Sequence, residues 1–393
     1  MRILEVTSCF YPAWAYGGPV AVAFYLSKEM VKRGHEVVVY TTDTIDRDTR
    51  QRAKYLEIEG IKVYYFRNIS NKLASRNLFF APSMLPQLKN KIRHFDIVHL
   101  QDYRSFQNIV VHYYAKKYVI PYVVQAGGSA TTQFGKVTLK KIFDKVWGHR
   151  ILKDASRLIA LTRVEAEQYE NMGIGKNKIE IVPNAIDLSE FENLPQRGIF
   201  KRKHNLNGRD KVVLYLGRIN KIKGIDLLVK SFAKLPKDFN DVKLAIVGPD
   251  DGYLPALKKL IKELNIEEKT LVTGPLYERD KLETYVDADV YVLPSVYEAF
   301  GITVLEACAC GTPVIVTDRC GLADFVDKVG YVVEYDEDRL RDVLIKLLND
   351  RDLSRKLGDK GKRLVAKEFG WNMIVKKVEN LYKCAQNRGP EDV

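Results

Sequence analysis

The chain has 393 residues, of which 46% are apolar, and it carries a formal net charge of +13. This length suggests two domains, and this apolar content excludes a disordered or fibrous protein. No apolar run approaches the ~20 residues that span a bilayer. The apolar start Ile3–Val6 is interrupted by Glu5 and is too short for a signal-peptide core. We therefore expect a cytoplasmic protein.

Short runs rich in Val, Ile and Tyr alternate with helical segments, which is typical of parallel sheets covered by helices. The first repeat runs from strand Ile3–Val6, through a helix that begins near Pro19 and ends before Gly34, to strand Val37–Tyr40. Proline at a helix start and glycine after its end match the preferences of helix termini. Further strands are predicted at 63–66, 97–100, 122–125, 158–161 and 179–182. The first half is thus predicted to be one doubly wound α/β domain.

A second series of strands follows the polar stretch 187–209, which has no strong periodicity. These strands are predicted at 212–216, 244–247, 270–273, 290–293, 314–317 and 331–333. The predicted organisation is listed in chain order: a Rossmann-like domain 1–186, a linker 187–209, a second Rossmann-like domain 210–370, and a closing segment 371–393 with a helix from about Trp371 to Cys384. Because such sheets bind ligands at the carboxyl ends of their strands, we expect a ligand cleft that both domains face.

The loop after the first strand contains Gly17 and Gly18. It does not match Gly-x-Gly-x-x-Gly, and the chain has no Walker motif, which argues against a dinucleotide or a P-loop nucleotide. Paired glycines let backbone amides approach an anion at a helix N-terminus. An ordinary tight turn explains the pair equally well.

The positive charge is concentrated in residues 51–150, which contain 17 basic and 5 acidic side chains. Such a field favours an anionic partner, namely nucleic acid, an anionic membrane or a phosphorylated substrate. A solvated surface that only aids solubility is the other interpretation.

The segment Lys136–Lys153 within this region places apolar residues, including Trp147, among six basic side chains, with Asp144 as the single acid. This composition is typical of a helix that lies on anionic lipid. A helix that packs its apolar stripe on the sheet and exposes its lysines explains the same pattern.

The strongest functional signal lies after the apolar strand 290–293. Glu298 is predicted in the loop before a helix 301–309, and Glu306 about a turn and a half inside it. Both carboxylates can face the sheet edge, where the first amides of the helix are free. Carboxylates accept hydrogen bonds from vicinal hydroxyls, and free amides suit phosphate oxygens, so the pattern predicts a sugar-nucleotide site. One of the two glutamates could instead serve only to stabilise the helix dipole.

A second signal follows the first strand of the second series, where the sequence reads Leu-Gly-Arg-x4-Lys-Gly. Its basic residues, Arg218 and Lys223, are expected at the carboxyl edge of the same sheet. Arginine offers a planar fork for phosphate oxygens, and lysine a point charge. Basic residues are common on surfaces, so this motif indicates a phosphate site only in combination with the two glutamates.

Together, Glu298-x7-Glu306 within Glu-Ala-Phe-Gly-Ile, the Leu-Gly-Arg-x4-Lys-Gly motif and the loop Tyr11-Pro12-x4-Gly17-Gly18 resemble the retaining glycosyltransferases of family 4. The resemblance extends to Trp371. It implies the GT-B fold, with two Rossmann-like domains facing across a cleft. It also implies transfer of a sugar, such as a hexose, from a nucleoside-diphosphate sugar to a hydroxyl of a sugar or lipid-linked acceptor. Neither a metal nor another cofactor is implied.

The resemblance further implies residue roles. Arg218, Lys223 and Glu298 are the predicted catalytic set: the two cations would hold the diphosphate and the glutamate would contact the transferred sugar. Glu306 would bind the ribose. The remaining implied donor contacts are Gly18 at the diphosphate, Leu276 at the base, and the amides of Phe300, Gly301, Ile302 and Thr303 at the sugar and phosphate. Cations and amides aimed at the leaving oxygen would stabilise its developing charge.

One turn departs from the family pattern. Where many members carry a sugar-contacting histidine, the chain reads Gln125-Ala126-Gly127-Gly128. His99 and Asp102 are the acceptor-side candidates that remain, although a strand-end histidine is often structural. No general base is assigned, and the leaving phosphate can take the acceptor proton.

Metal ligands are not expected. The pairs Asp287/Asp289 and Asp46/Asp48 fit poorly, since the first leads into a strand and the second lies in a polar loop. The cysteines lack Cys-x-x-Cys spacing and are interpreted as small buried hydrophobic residues. They are Cys9, Cys308, Cys310, Cys320 and Cys384.

Two other functions compete with transfer from a nucleotide sugar. A phosphorylase would carry a lysine for pyridoxal phosphate in a longer chain. A catalytically silent GT-B protein could bind nucleic acid or membrane through its basic half, but two carboxylates beside a phosphate site would repel such a ligand's charge. We expect no nucleic-acid partner, and a peripheral position on the inner face of a membrane if Lys136–Lys153 binds lipid. The motifs specify no particular donor base, sugar, acceptor, linkage or oligomeric state.

Overall fold

Runs of Val, Ile and Leu form two sheets in the computed structural model of this chain, which describes residues 1–131 and 137–386. The chain divides into a first unit, residues 1–185 with the segment from Trp371 onward, and a second unit, residues 186–370. The second unit is thus inserted in the sequence of the first.

The first unit is built on an eight-stranded sheet of order β3-β4-β2-β1-β5-β6-β7-β8. Its strands are β1 (Arg2–Val6), β2 (Glu36–Thr42), β3 (Tyr55–Ile58), β4 (Ile61–Phe66), β5 (Ile97–Leu100), β6 (Tyr122–Gln125), β7 (Arg157–Ala160) and β8 (Ile179–Ile181). All neighbours pair in parallel except β3, which pairs antiparallel with β4. Because β1 pairs with both β2 and β5, the strand order reverses between β1 and β5, which is where such sheets bind ligands.

The helices of the first unit are α1 (Gly18–Lys32), α2 (Asn71–Ala74), α3 (Met84–Lys91), α4 (Phe106–Tyr118), α5 (Val137–Phe143), α6 (His149–Asp154) and α7 (Arg163–Asn171). A π-helical turn, Asp144–Gly148, joins α5 to α6, so the predicted helix 136–153 is continuous over its described part. Lys136 lies outside the described residues.

The second unit is built on a six-stranded parallel sheet of order β11-β10-β9-β12-β13-β14. Its strands are β9 (Lys211–Leu216), β10 (Val242–Val247), β11 (Thr270–Gly274), β12 (Val290–Leu293), β13 (Val314–Thr317) and β14 (Tyr331–Val333). Its helices are α8 (Ile199–Lys203), α9 (Ile225–Ala233), α10 (Leu254–Glu263), α11 (Glu278–Asp287), α12 (Ile302–Ala309), α13 (Ala323–Val329), α14 (Glu337–Asn349) and α15 (Arg351–Glu368). In chain order the strands read 3-2-1-4-5-6, the Rossmann arrangement, which reverses between β9 and β12.

The predicted strands are all present, each within two residues at either end. The sequence analysis did not predict β3, which forms a hairpin with β4. The turn is Glu59-Gly60, where both residues have positive φ (51° and 78°), as two-residue hairpin turns of this kind require.

The last helix, α16 (Trp371–Gln386), packs on the first unit. The Trp371 ring lies beside Tyr25 of α1, with centroids 6.2 Å apart. Arg33, just after α1, pairs with Glu379 at 2.5 Å. The hydrophobic face of α16 is buried, since its residues Ile374, Val375, Val378 and Leu381 are all shielded from solvent.

Residues 187–209, for which a linker is predicted, belong to the second unit and include α8. Two backbone amides at this helix, those of Gly198 and Lys201, donate to the Asp287 carboxylate at the end of α11. This buried carboxylate therefore fixes the segment on α11.

Among the described residues, no helix has both the length and the apolar character needed to cross a bilayer.

Candidate functional site

Two loops of the second unit meet where its strand order reverses. One follows β9 and ends at Gly224, and the other follows β12 and begins at Pro294. The Val296 amide donates to the Ile222 carbonyl at 2.9 Å. Gly224 has φ +61°, and a Cβ there would lie 2.0 Å from the Pro294 carbonyl oxygen. Only glycine permits this approach, so the loops hold each other in place.

Lys223 and Glu298 come from these two loops and pair with each other. Lys223 Nζ donates to Glu298 Oε2 at 2.5 Å, and both side chains are mostly buried. The Glu298 backbone is fixed as well, because its amide donates to the Arg319 carbonyl and its carbonyl accepts from Gly321. The structure thus brings together two residues, 75 positions apart, that the sequence analysis predicted at one sheet edge.

The first turn of α12 lies directly after Glu298. Gly301 caps this helix with φ +97°, and the amides of Ile302 and Thr303 lack acceptors within the helix because they belong to its first turn. The Tyr291 hydroxyl donates to Thr303 Oγ1 at 2.6 Å. Phe300 is buried with its ring beside Phe369, so it can offer a ligand its backbone only. These free amides form a positive helix end next to Glu298.

Glu306, one turn further along α12, is held by two donors from α11. Lys281 Nζ donates to Oε1 at 2.8 Å and the Tyr285 hydroxyl to Oε2 at 2.9 Å. Burial lowers the pKa of Lys281, but the charge of Glu306 and its hydrogen bond outweigh burial, so the pKa is raised overall. The sequence analysis missed both α11 residues, because Lys281 stands in the charged run Glu-Arg-Asp-Lys, which is typical of an exposed helix face.

Arg218 lies at the more open side of the site. Its side chain is 59% exposed and pairs with Asp251 at 2.8 Å, and Asn220 donates to the same carboxylate at 3.1 Å. Asp251 was not predicted as a partner. Leu276 lies two residues after the end of β11 and is half-buried, and its role as a donor contact stays a prediction.

The carboxyl edge of the first sheet carries the remaining predicted residues. Gly18 is the first residue of α1, and its contact with a diphosphate stays a prediction.

Asp102 accepts hydrogen bonds from Ser8 and Ser105, and burial raises its pKa although these bonds oppose the rise. The glycines of the turn after β6 have positive φ, and the Gly128 amide donates to the buried Glu165 at 2.6 Å.

His99 lies inside the first unit rather than at its surface. It is fully buried, its Nδ1 is 2.7 Å from the Tyr382 hydroxyl of α16, and burial lowers its pKa to about 3. It has no exposed surface to offer an acceptor, which does not fit the predicted acceptor-side position. The physical reason is that β5 is covered on both faces, by helices including α16.

Three of the four carboxylates considered as metal ligands, Asp287, Asp289 and Asp46, have protein partners. Asp287 binds the amides of residues 198 and 201, and Asp289 pairs with Arg197 at 2.5 Å and accepts from the Val212 amide at 2.8 Å. Asp46 closes a turn by accepting from Asp48 and Thr49. Within residues 1–131 and 137–386, no three His, Cys, Asp or Glu side chains are grouped as a metal site would require.

Comparison with known proteins covers both units. The family described as Glycosyltransferase Family 4 matches residues 16–190, and the family described as Glycosyl transferases group 1 matches residues 196–364.

Similar proteins extend over nearly the whole chain. An uncharacterized glycosyltransferase of Methanocaldococcus jannaschii is 27% identical, with 98% of each chain covered. A D-inositol 3-phosphate glycosyltransferase of Xylanimonas cellulosilytica is 27% identical over 95% of this chain and 93% of its own. The crystal structure of Anabaena Alr3699/HepE in complex with UDP and glucose superposes with a TM-score of 0.79 at 17% identity, covering 98% of this chain and 99% of that one. The likeness confirms the predicted GT-B fold. The two family models together match most of the chain, and they show that it belongs to the group 1 glycosyltransferases of family 4.

Proposed function

We propose that this protein transfers a sugar from a nucleoside-diphosphate sugar to an acceptor hydroxyl, with retention of the anomeric configuration. The observation that carries the proposal is the pairing of Lys223 with Glu298 beside the free amides of α12. A cation, a carboxylate and amides at one sheet edge match the phosphate and hydroxyl groups of such a donor. The bound UDP and glucose of HepE support this choice of ligand class.

Each group has a defined part in the reaction. Breaking the bond between sugar and diphosphate leaves negative charge on the phosphate oxygen, which Lys223, Arg218 and the amides of Ile302 and Thr303 would stabilise. Glu298 would accept hydrogen bonds from the sugar. Since His99 is buried and the sequence of the turn after β6 contains no histidine, we propose that the leaving phosphate itself takes the proton of the attacking hydroxyl.

Donor hydrolysis tests the proposal. The wild-type protein, incubated with UDP-, GDP- and ADP-glucose and their N-acetylglucosamine counterparts, should hydrolyse at least one donor slowly without acceptor. NMR of the first product should show the anomer of the donor, and the rate should persist in EDTA. If none of these donors is cleaved, the proposal fails, and an inverted product would contradict retention.

We further propose that the acceptor is a lipid-linked sugar or polysaccharide precursor reached at an anionic membrane. The support lies on α5 and the π-helical turn, where four apolar side chains face solvent: Leu139, Ile142, Val146 and Trp147 are 56%, 53%, 46% and 43% exposed. Basic side chains beside them are exposed too, namely Lys141, Lys145, Arg150 and Lys153. A helix that only packs on its sheet would bury this stripe.

The same segment is anchored by its other face. Ile151 and Leu152 of α6 are fully buried. Asp144 accepts from Tyr103 at 2.8 Å and from the Arg104 guanidinium at 2.7 and 2.8 Å. A buried ion pair thus holds the helix while its apolar stripe points outward, which is the arrangement of an interfacial helix.

Vesicle sedimentation tests this part. The protein should pellet with phosphatidylglycerol vesicles at low ionic strength, since each basic residue near such a surface contributes about 1 kcal/mol, and it should be released by salt. The double variant Ile142→Ser/Trp147→Ser should lose most binding. Tyr113→Ser, which removes a ring that is 59% exposed from α4, is the control. Absence of wild-type binding would favour a soluble acceptor.

A further inference from the structure

Helix α11 presents two donors to one carboxylate of the neighbouring helix. Lys281 and Tyr285 are four residues apart and therefore lie on the same face of α11. Each donates to a different oxygen of Glu306, at 2.8 and 2.9 Å. The contact joins two helices of the second unit and holds both oxygens of the carboxylate.

This arrangement is built into the interior of the second unit. Tyr285 is fully buried, its carbonyl accepts from Thr312 at 2.7 Å, and its ring lies edge-on to Tyr291 at 5.8 Å. The side chains of Lys281 and Glu306 are 21% and 14% exposed. A lysine in such a place is costly unless its charge is paired. The exposed fraction that remains is where a ligand could reach the pair.

The pair retains hydrogen-bonding capacity for that ligand. An ionised carboxylate has about four lone-pair positions, and an ammonium group has three N–H donors. In its hydrogen bonds with α11, Glu306 uses two of these positions, and the bond from Lys281 uses one of the three ammonium donors. Vicinal hydroxyls both donate and accept, so a diol can bind carboxylate and ammonium at once.

We propose that Lys281 is a positioning residue for the nucleotide ribose: together with Tyr285 it holds the Glu306 side chain in place, so that the pair of Lys281 and Glu306 recognises the 2′,3′-diol of the donor. The inference rests on the proposed function and assigns a residue that the Glu298-x7-Glu306 motif does not contain. The charge of Glu306 raises the pKa of Lys281 despite burial, so the ammonium stays charged when the ribose arrives.

Calorimetry with paired nucleotides tests the inference. UDP, GDP and ADP are titrated into wild-type protein, and the tightest binder is compared with its 2′,3′-dideoxy analogue. Lys281→Met should weaken the ribonucleotide about 10- to 100-fold, the value of a hydrogen bond to a charged group. It should change binding of the dideoxy analogue less than twofold, because that analogue lacks the diol.

Two further variants separate positioning from stability. Lys281→Arg keeps the charge and should retain most of the preference for ribose, while Arg279→Met removes an exposed charge from the same helix and should change nothing. If Lys281→Met does not fold, Lys281→Gln replaces it, since it keeps a donor without the charge.

The outcomes are distinct. Equal loss for the ribonucleotide and the dideoxy analogue, or no loss for either, overturns the role of Lys281 while the proposed function stands. If wild-type protein binds none of the three diphosphates, the proposed function fails and this inference fails with it.

Discussion

Lys223 and Glu298 neutralise each other in the second unit, so removing one leaves the other uncompensated. Lys223→Ala should lower turnover on the order of 10²–10³-fold, because it removes a cation from the leaving group and exposes the diphosphate to the charge of Glu298. Donor consumption under saturating conditions measures this. Lys221→Ala is the control, since it removes an exposed lysine from the same loop. Near-normal turnover of Lys223→Ala would refute the assignment.

Substitutions of Glu306 and Glu298 should weaken the binding of different ligands. Glu306→Ala should weaken binding of a free nucleoside diphosphate, because its proposed partner is the ribose. Glu298→Ala should not weaken that binding, because it leaves the Lys223 charge free for the diphosphate. It should weaken only the added affinity of the complete donor, because its proposed partner is the sugar. Calorimetry with the diphosphate and with the donor measures both effects. Equal effects of the two substitutions on both ligands would contradict these roles.

The sequence predicted the site residues that belong to a motif. It did not predict the residues that reach the site only through tertiary contacts. Glu298, Glu306 and Lys223 stand at fixed spacings around two strand ends, so pattern and topology place them together. Lys281 contacts Glu306, 25 positions away, and Asp251 contacts Arg218, 33 positions away, and neither spacing is part of a motif. His99 was harder to judge, because a polar residue in a strand of four gives no sign that helices cover both faces.

At the scale of elements, Gly224 joins the loops after β9 and β12. Gly224→Ala places a Cβ against the Pro294 carbonyl at a φ of +61° that alanine adopts poorly. We expect a loss of several kcal/mol, roughly 1–2 from the backbone conformation and the rest from the overlap. Thermal unfolding measures it. Gly208→Ala, where a Cβ meets nothing within 4 Å, is the control and should be nearly neutral.

Strand β1 carries a buried acid that makes the first unit sensitive to pH. Glu5 is fully buried, accepts from Ser27 at 2.8 Å, and burial raises its pKa from 4.5 to about 7. Its neighbour His99 stays neutral and supplies no compensating charge. Below pH 4.5 the carboxyl is protonated in both states, whereas above pH 7 folding must bury its charge. Stability is therefore lost as pH rises through this range.

Glu5→Gln should remove that loss, since the amide keeps an acceptor for Ser27 and carries no charge. Relative to wild type, the variant should gain about 2 kcal/mol of unfolding free energy between pH 5 and pH 8. Denaturant unfolding at both values measures the difference. A constant difference across this range would show that Glu5 has an ordinary pKa in the folded protein.

The elements themselves were well predicted where periodicity and termini agreed. Runs of β-branched residues predicted the strands, because parallel strands are buried on both faces and therefore have continuous apolar sequences. The hairpin strand β3 was missed since its burial alternates weakly and its signal is the Glu59-Gly60 turn. The exposure of the stripe on α5 was left open by the sequence, because amphipathicity does not tell which face is covered.

At the scale of the whole molecule, the excess of positive charge and the proposed donor-binding residues lie in different units. Residues 51–150, with their excess of basic side chains, lie in the first unit, whereas Lys223, Glu298 and Glu306 lie in the second. The sequence predicted this separation from composition and motifs. It did not identify the sugar, the base or the acceptor, because these depend on side-chain contacts that no motif specifies.

Two sheets with separate cores predict two unfolding transitions in calorimetry of the full chain. A nucleoside diphosphate at 100 times its Kd should stabilise the unit that binds it by about 2.7 kcal/mol. Since the proposed ribose and phosphate contacts lie in the second unit and Glu5 in the first, UDP, GDP or ADP should raise one transition, and Glu5→Gln at pH 8 should raise the other. The wild-type scan at pH 8 without nucleotide is the reference. A single transition, or one that both changes shift together, would show that the units unfold as one and would contradict this prediction.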